Sequence, residues 1–162
     1  MKLHSLSGKD YAKAVAVGIA TAVALSAIMI TGLKTGVSPM PKPLALAFAS
    51  TLVDAELPLP VGLLFHVAWV ALWSVIYVAL FWDRLTFLRA LGLALALWVL
   101  VLVVFFPYVG WGFLGLGVSP MLIVAALVSH VLFAVVLWAL AHWVFGTYHP
   151  TGSHREAGRK SA

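Results

Sequence analysis

Apolar residues in this chain come in long unbroken runs, not in the alternation that marks a half-buried helix or strand. Four runs reach the roughly 20 residues needed to cross about 30 Å of hydrocarbon, at about 14–33, 61–82, 90–109 and 120–145. The pattern predicts an all-α integral membrane four-helix bundle, with 1–146 as a four-span membrane domain. The polar stretch 147–162, HPTGSHREAGRKSA at its end, reads as a flexible cytoplasmic tail. Lys2, Lys9 and Lys13 precede the first run as a signal-peptide n-region would, but the run exceeds the usual h-region and no convincing A-x-A cleavage site follows it, so it is read as a span.

Between the first two runs lies PMPKPLALAFASTLVDAELPLP, whose apolar core from Leu44 to Val53 is bounded by proline on both sides. Ten helical residues rise only about 15 Å, half a bilayer. A short helix lying in the outer interface, or dipping in and back, is predicted there instead of a fifth span.

Composition agrees with the pattern: 64% apolar and 9% charged residues, and a mean hydropathy of +1.09, lie far from soluble-domain averages. The absence of cysteine excludes disulfides, thiolate zinc, iron–sulfur ligation and covalent haem attachment. Lys and Arg divide unevenly over the flanks. One face holds Lys2, Lys9, Lys13, Arg84, Arg89, Arg155, Arg159 and Lys160, and the other only Lys34 and Lys42. The positive-inside rule then puts both termini and the middle loop in the cytoplasm. The same asymmetry accounts for a pI near 9.8 as a topology and anionic-lipid signal; no nucleic-acid motif accompanies it.

GVSPM occurs at 36–40 and again at 117–121, each time after an odd-numbered span. Each following span carries a histidine and then aromatics: His66, Trp69, Trp73 and Tyr77 in one, His130, Phe133 and Trp138 in the other. A two-fold parallel repeat of helix hairpins and a chance match both stay open.

The pieces GIATAVALSAIM, VGLLFHVAWVALWSVIYVALF, RALGLALALWVLVLVVFFP and GFLGLGVSPMLIVAALVSHVLFAVVLWALAHWVFG, spread over about 14–146, resemble a family of small four-span bacterial membrane proteins, YagU-like, that carries a domain-of-unknown-function label. His66 in GLLFH and His130 in VSH match the family pattern, His142 does not obviously do so, and Trp73, Ser74 and Trp138 stand where the family has small residues or glycine. The resemblance implies a multi-pass protein of the bacterial inner membrane; it implies no reaction or cofactor.

An ionisable ring in hydrocarbon faces the bundle interior by default. For His66 and His130 the packing reading is a hydrogen bond from one ring nitrogen to a carbonyl or serine on a neighbouring helix. The ligand reading is a prosthetic group, haem b in its sharpest form, clamped between the two histidines. From Pro60 and Pro120 the rings lie about 9 and 15 Å deep. A proton or ion path is the third. His142 falls near the cytoplasmic interface, where an amphipathic ring is comfortable.

Other signals are weaker. GWGFLG at 110–115 satisfies G-x-G-x-x-G but follows a span and lacks an acidic ribose partner, so it reads as an interfacial turn with Tyr108 and Trp111 in the aromatic belt. Ala14, Gly18, Ala22 and Ser26 make a small-residue stripe for close helix packing within the bundle, or in a homodimer. The carboxylates, Asp10, Asp54, Glu56, Asp83 and Glu156, all lie outside the spans, so no acid–base pair can form at membrane depth. Adjacent Ser129 and His130 point about 100° apart and make no nucleophile–base pair.

The sequence therefore favours a non-enzymatic membrane protein, a structural or accessory component associated with lipid and with other membrane subunits or copies of itself. A haem- or quinone-binding electron-transfer subunit using His66 and His130, and a small transporter or channel, are the alternatives.

Overall fold

The computed structural model describes residues 6–146; the predicted tail 147–162 lies outside the described residues. Among these the regular structure is all helical: α1 Gly8–Lys34, α2 Leu44–Val53, α3 Leu59–Phe81, α4 Phe87–Tyr108 and α5 Met121–Phe145. Four of them, all but α2, are long and apolar enough to cross a membrane. The architecture is the expected all-α membrane bundle, and the span limits fall close to those expected.

The largest difference is the start of α1, which begins at Gly8 instead of near residue 14. Ser7 and Asp10 form a capping box: the Asp10 N–H donates to Ser7 Oγ at 3.3 Å and the Ser7 N–H donates to Asp10 Oδ2 at 3.0 Å. Hydropathy cannot see such a polar first turn. Lys34 closes the last turn, where a cation suits the helix dipole.

In sequence-adjacent hairpins, α1 packs on α3 and α4 packs on α5, and α1 also packs on α5. α3 and α4 barely approach one another. The α1–α3 contact rests on the predicted small-residue stripe. A Cβ placed on Gly18 would lie 2.5 Å from Ala71 Cα and 2.9 Å from Ser74 Cβ, so only glycine permits this approach. Ser74 Oγ, fully buried, donates to the Ala14 carbonyl at 2.8 Å. The stripe is thus occupied within the bundle.

α2 does more than lie in the interface. Leu46 meets α3 at Gly62, where an added Cβ would come within 2.7 Å of Leu46 Cα. Phe48 reaches Phe105 and Tyr108 of α4, with ring centroids 5.2 and 5.3 Å away. Ala47 is buried in a cluster with Val101, Leu102, Phe106 and Trp111. The short helix is a wedge between α3 and α4 at the end opposite the chain termini, which is why those spans stay apart. Asp54, in the left-handed region at φ 52°, ends it.

α4 contains one π turn, Val101–Phe105, in which the Phe106 N–H reaches the Val101 carbonyl. Pro107 explains it: proline cannot donate, and its ring crowds the carbonyl four residues back. The extra residue leaves Phe105 facing Trp69 at 5.3 Å as well as Phe48.

Past α4 the glycine-rich loop coils back on the helix. Gly110, Gly112 and Gly115 have φ near +80°, and the Trp111 N–H donates to the Phe106 carbonyl at 2.8 Å. Trp111, expected in an exposed aromatic belt, is only 6% exposed and packs 5.3 Å from the Phe106 ring, whereas Tyr108 is exposed. The loop's backbone reversal carries the indole inward.

Both GVSPM copies make the same local bond, Met40 N–H to Ser38 Oγ at 3.3 Å and Met121 N–H to Ser119 Oγ at 3.2 Å. Their contexts differ. Gly36 has φ +72°, and α2 intervenes before the next span, while the second copy runs straight into α5. What recurs is a serine turn.

Gly18→Leu should lower the melting temperature in detergent, at a cost of about 1–3 kcal/mol from overpacking against α3. Gly92→Ala, where a Cβ would meet nothing within 4 Å, should leave it within about 0.5 kcal/mol of the parent. Equal melting shifts for the two variants would remove the close-approach account.

Candidate functional site: an unpartnered polar stripe on α3

Polar side chains in the spans are mostly engaged inside the bundle. Thr21 Oγ1 donates to the Val17 carbonyl at 2.8 Å, Tyr77 Oη to the Thr86 carbonyl at 3.0 Å, and Trp98 Nε1 to the Ile123 carbonyl of α5 at 3.1 Å. Ser129 Oγ turns back to the Ala125 carbonyl at 2.9 Å, away from any pairing with its neighbour His130. Three buried side-chain atoms among the described residues have no partner: Ser26 Oγ, His66 Nε2 and Trp73 Nε1.

These atoms have related positions. His66, Trp69 and Trp73 are spaced i, i+3, i+7 and share one face of α3. Trp69 meets Trp73 edge-on at 5.5 Å and Phe105 of α4 at 5.3 Å, so the stripe faces the gap that α2 wedges open. Ser26, on α1, lies at a similar depth through the antiparallel register of α1 and α3. Both Ser26 and His66 lie eight residues, about 12 Å of rise, from the Gly18–Ser74 contact, toward the same end.

His130 behaves differently from expectation. Its Nδ1 lies 2.7 Å from the carbonyl of Ala126, one turn back on its own helix, and not from a neighbouring helix. A carbonyl only accepts, so the neutral ring carries its proton on Nδ1 and its lone pair on Nε2. The half-buried ring shares a helix face with buried Ala126, Phe133 and Ala134. His142, as expected, is exposed near the helix end and stacks on Trp138 at 5.9 Å.

His66 and His130 do not share a bond or a partner. They sit on α3 and α5, which are separated around the bundle by α1 on one side and α4 on the other. Neither histidine lines the cavity at Lys42, Ser50 and Asp54 or the groove between α1 and α5. Among the described residues no group of three or more His, Asp or Glu could hold a metal ion. Of the two, His66 alone presents a buried nitrogen with no partner. Its companions Ser26 and Trp73 are the members sequence reasoning missed. Their signal was the i, i+7 spacing from His66 and the fourth place in the small-residue stripe.

The described carboxylates lie at or beyond the helix ends. Asp10 caps α1, Glu56 pairs with Lys42 at 3.5 Å, and Asp83 accepts from Arg89 Nη1 at 3.0 Å. That bond, from Arg89 in the first turn of α4 to Asp83 in the loop before it, holds the Asp83 carboxyl below its usual range. The stabilisation is present above the ordinary carboxylate pKa and fades as pH falls through the lowered value.

His66→Leu should raise the melting temperature in detergent, removing a buried unpaired nitrogen at a gain of about 1 kcal/mol. His130→Leu should cost less than about 1 kcal/mol, because the Ala126 carbonyl keeps its backbone hydrogen bond. A larger loss for His66→Leu than for His130→Leu would reveal a partner on His66 in the purified protein.

Compared with family models, curated proteins and solved structures, the chain matches none.

Proposed function

We propose that the chain is a non-enzymatic multi-pass protein of the bacterial inner membrane, allied to the YagU-like family, that serves as a structural or accessory component of a membrane complex. The observation that carries the reading is the engagement of the spans' polar groups. Ser74, Thr21, Tyr77, Trp98 and His130 bond within the bundle, exposed Ser129 bonds to its own helix, and the described carboxylates stand at the bundle's ends. Among the described residues, no side chain at membrane depth is paired as nucleophile and base or as acid and base. Orientation follows from charge. The helix ends beside the termini carry Lys9, Lys13, Arg84 and Arg89, against Lys34 and Lys42 at the other end.

A second reading, a prosthetic-group or quinone ligand in an electron-transfer subunit, is favoured by one observation, the unpartnered Nε2 of His66 beside the Trp69–Trp73 pair. Haem b is its most easily tested form.

On native gels of mildly solubilised membranes, the 17.4 kDa chain should migrate in an assembly with other subunits. Migration as an isolated monomer with no co-purifying protein would overturn the accessory reading. Alkaline phosphatase fused after residue 48 should be active, and fused after Arg84 inactive; the reverse pattern would invert the orientation. Protein purified from native membranes should show no Soret band. A band lost in His66→Ala and kept in His142→Ala would replace the first reading with the second.

A further inference from the structure

At the basic end of the bundle α1 and α5 do not close completely. Ala16, Val17 and Ala20 of α1 face Leu140 and Val144 of α5 across a groove of about 340 Å³ with apolar walls. α1 offers mainly alanine on this wall, Ala16 and Ala20 flanking Val17, against the larger Leu140, Trp143 and Val144 of α5. Trp143, 79% exposed, stands beside it. In a membrane-spanning bundle an apolar groove on the outer surface opens to acyl chains, and an exposed indole near a helix end suits the headgroup level.

The mouth is charged. Lys13 lines it, and its Nζ reaches across to lie 6.0 Å from the centre of the Phe145 ring on α5. Lys9 stands one turn toward the helix start on the same face of α1. The nearby Asp10 carboxylate accepts from the N–H and hydroxyl of Ser7, at 3.0 and 2.6 Å, and offsets part of the Lys13 charge without cancelling that of Lys9 and Lys13 together. With Arg84 and Arg89 against Asp83 on the adjoining loop side, this end is net positive among the described residues.

We propose that this groove seats an acyl chain of an anionic phospholipid whose phosphate is held by Lys13, with Lys9 adding to the attraction. Charge complementarity selects the headgroup and the small-residue wall admits the chain. The inference requires only the membrane-spanning bundle, and stands whichever reading of the function holds and whichever leaflet the basic end meets.

Native mass spectrometry of the full chain, released from micelles containing equal amounts of phosphatidylglycerol and phosphatidylcholine of matched chain length, tests it. The parent protein should retain phosphatidylglycerol in preference. Lys13→Gln, at an exposed position, should weaken that retention about fivefold, the worth of one lysine near an anionic surface, and weaken retention of phosphatidylcholine, whose phosphate is offset by its own choline cation, by less. Ala20→Phe fills the groove from an exposed position and should remove both lipids. Melting curves check that each variant keeps the bundle; should Ala20→Phe melt early, Ala16→Leu on the same wall takes its place. Four results would each overturn the proposal: no retained lipid, equal retention of the two lipids, variants that bind as the parent does, or a second copy of the chain bound in place of lipid and displaced by the filling substitution.

Discussion

The close approach of α1 and α3 at Gly18 anchors the arrangement. Lipid tails are as apolar as leucine, so helices in a bilayer gain nothing by hiding apolar surface from water, and association depends on tight contact and interhelical hydrogen bonds. Gly18 supplies the first and Ser74, donating to the Ala14 carbonyl, supplies the second one turn away. α1 then has one face against α3 and another against α5, which makes it the helix through which the two hairpins meet.

The opposite side of the bundle is held by other means. α3 and α4 are kept apart by α2, and the space is filled by large rings: Phe48, Trp69, Phe105 and Tyr108. Pro107 contributes indirectly, since the π turn it imposes sets the direction of Phe105. One side is thus closed by small residues and backbone contact, the other by aromatics around a short helix. The unpartnered atoms of His66 and Trp73 lie along the aromatic side, where, apart from the close approach of α2 to α3 at Gly62, large rings determine the fit.

That contrast bears on function. Where backbones touch at Gly18, Ser74 finds the Ala14 carbonyl within reach, although Ser26 farther along the same stripe does not; where rings separate the helices, an indole N–H and an imidazole nitrogen are left without a partner. A buried polar atom with no partner is destabilising by an amount that matters beside the total stability of a small domain. Two of the three such atoms among the described residues, His66 Nε2 and Trp73 Nε1, lie on α3, and the third, Ser26 Oγ, lies on α1.

The number of spans, their limits to within a few residues and the small stripe of α1 were legible in the chain, because hydropathy and helical spacing are local properties that hydrocarbon enforces on every segment alone. The polar first turn of α1 was not, since its capping box lies below any hydropathy threshold. Partner choice was decided only by tertiary structure. The inward turn of Trp111 required the reversed glycine loop; the role of α2 required the gap it fills. His130 bonds within its own helix, and whether a ring nitrogen turns to its own carbonyl or to a neighbour's depends on how near the neighbour comes. Residue types determined which segments enter the membrane; the distances between helices, set by Gly18 on one side and by α2 on the other, decided which polar atoms would be satisfied there.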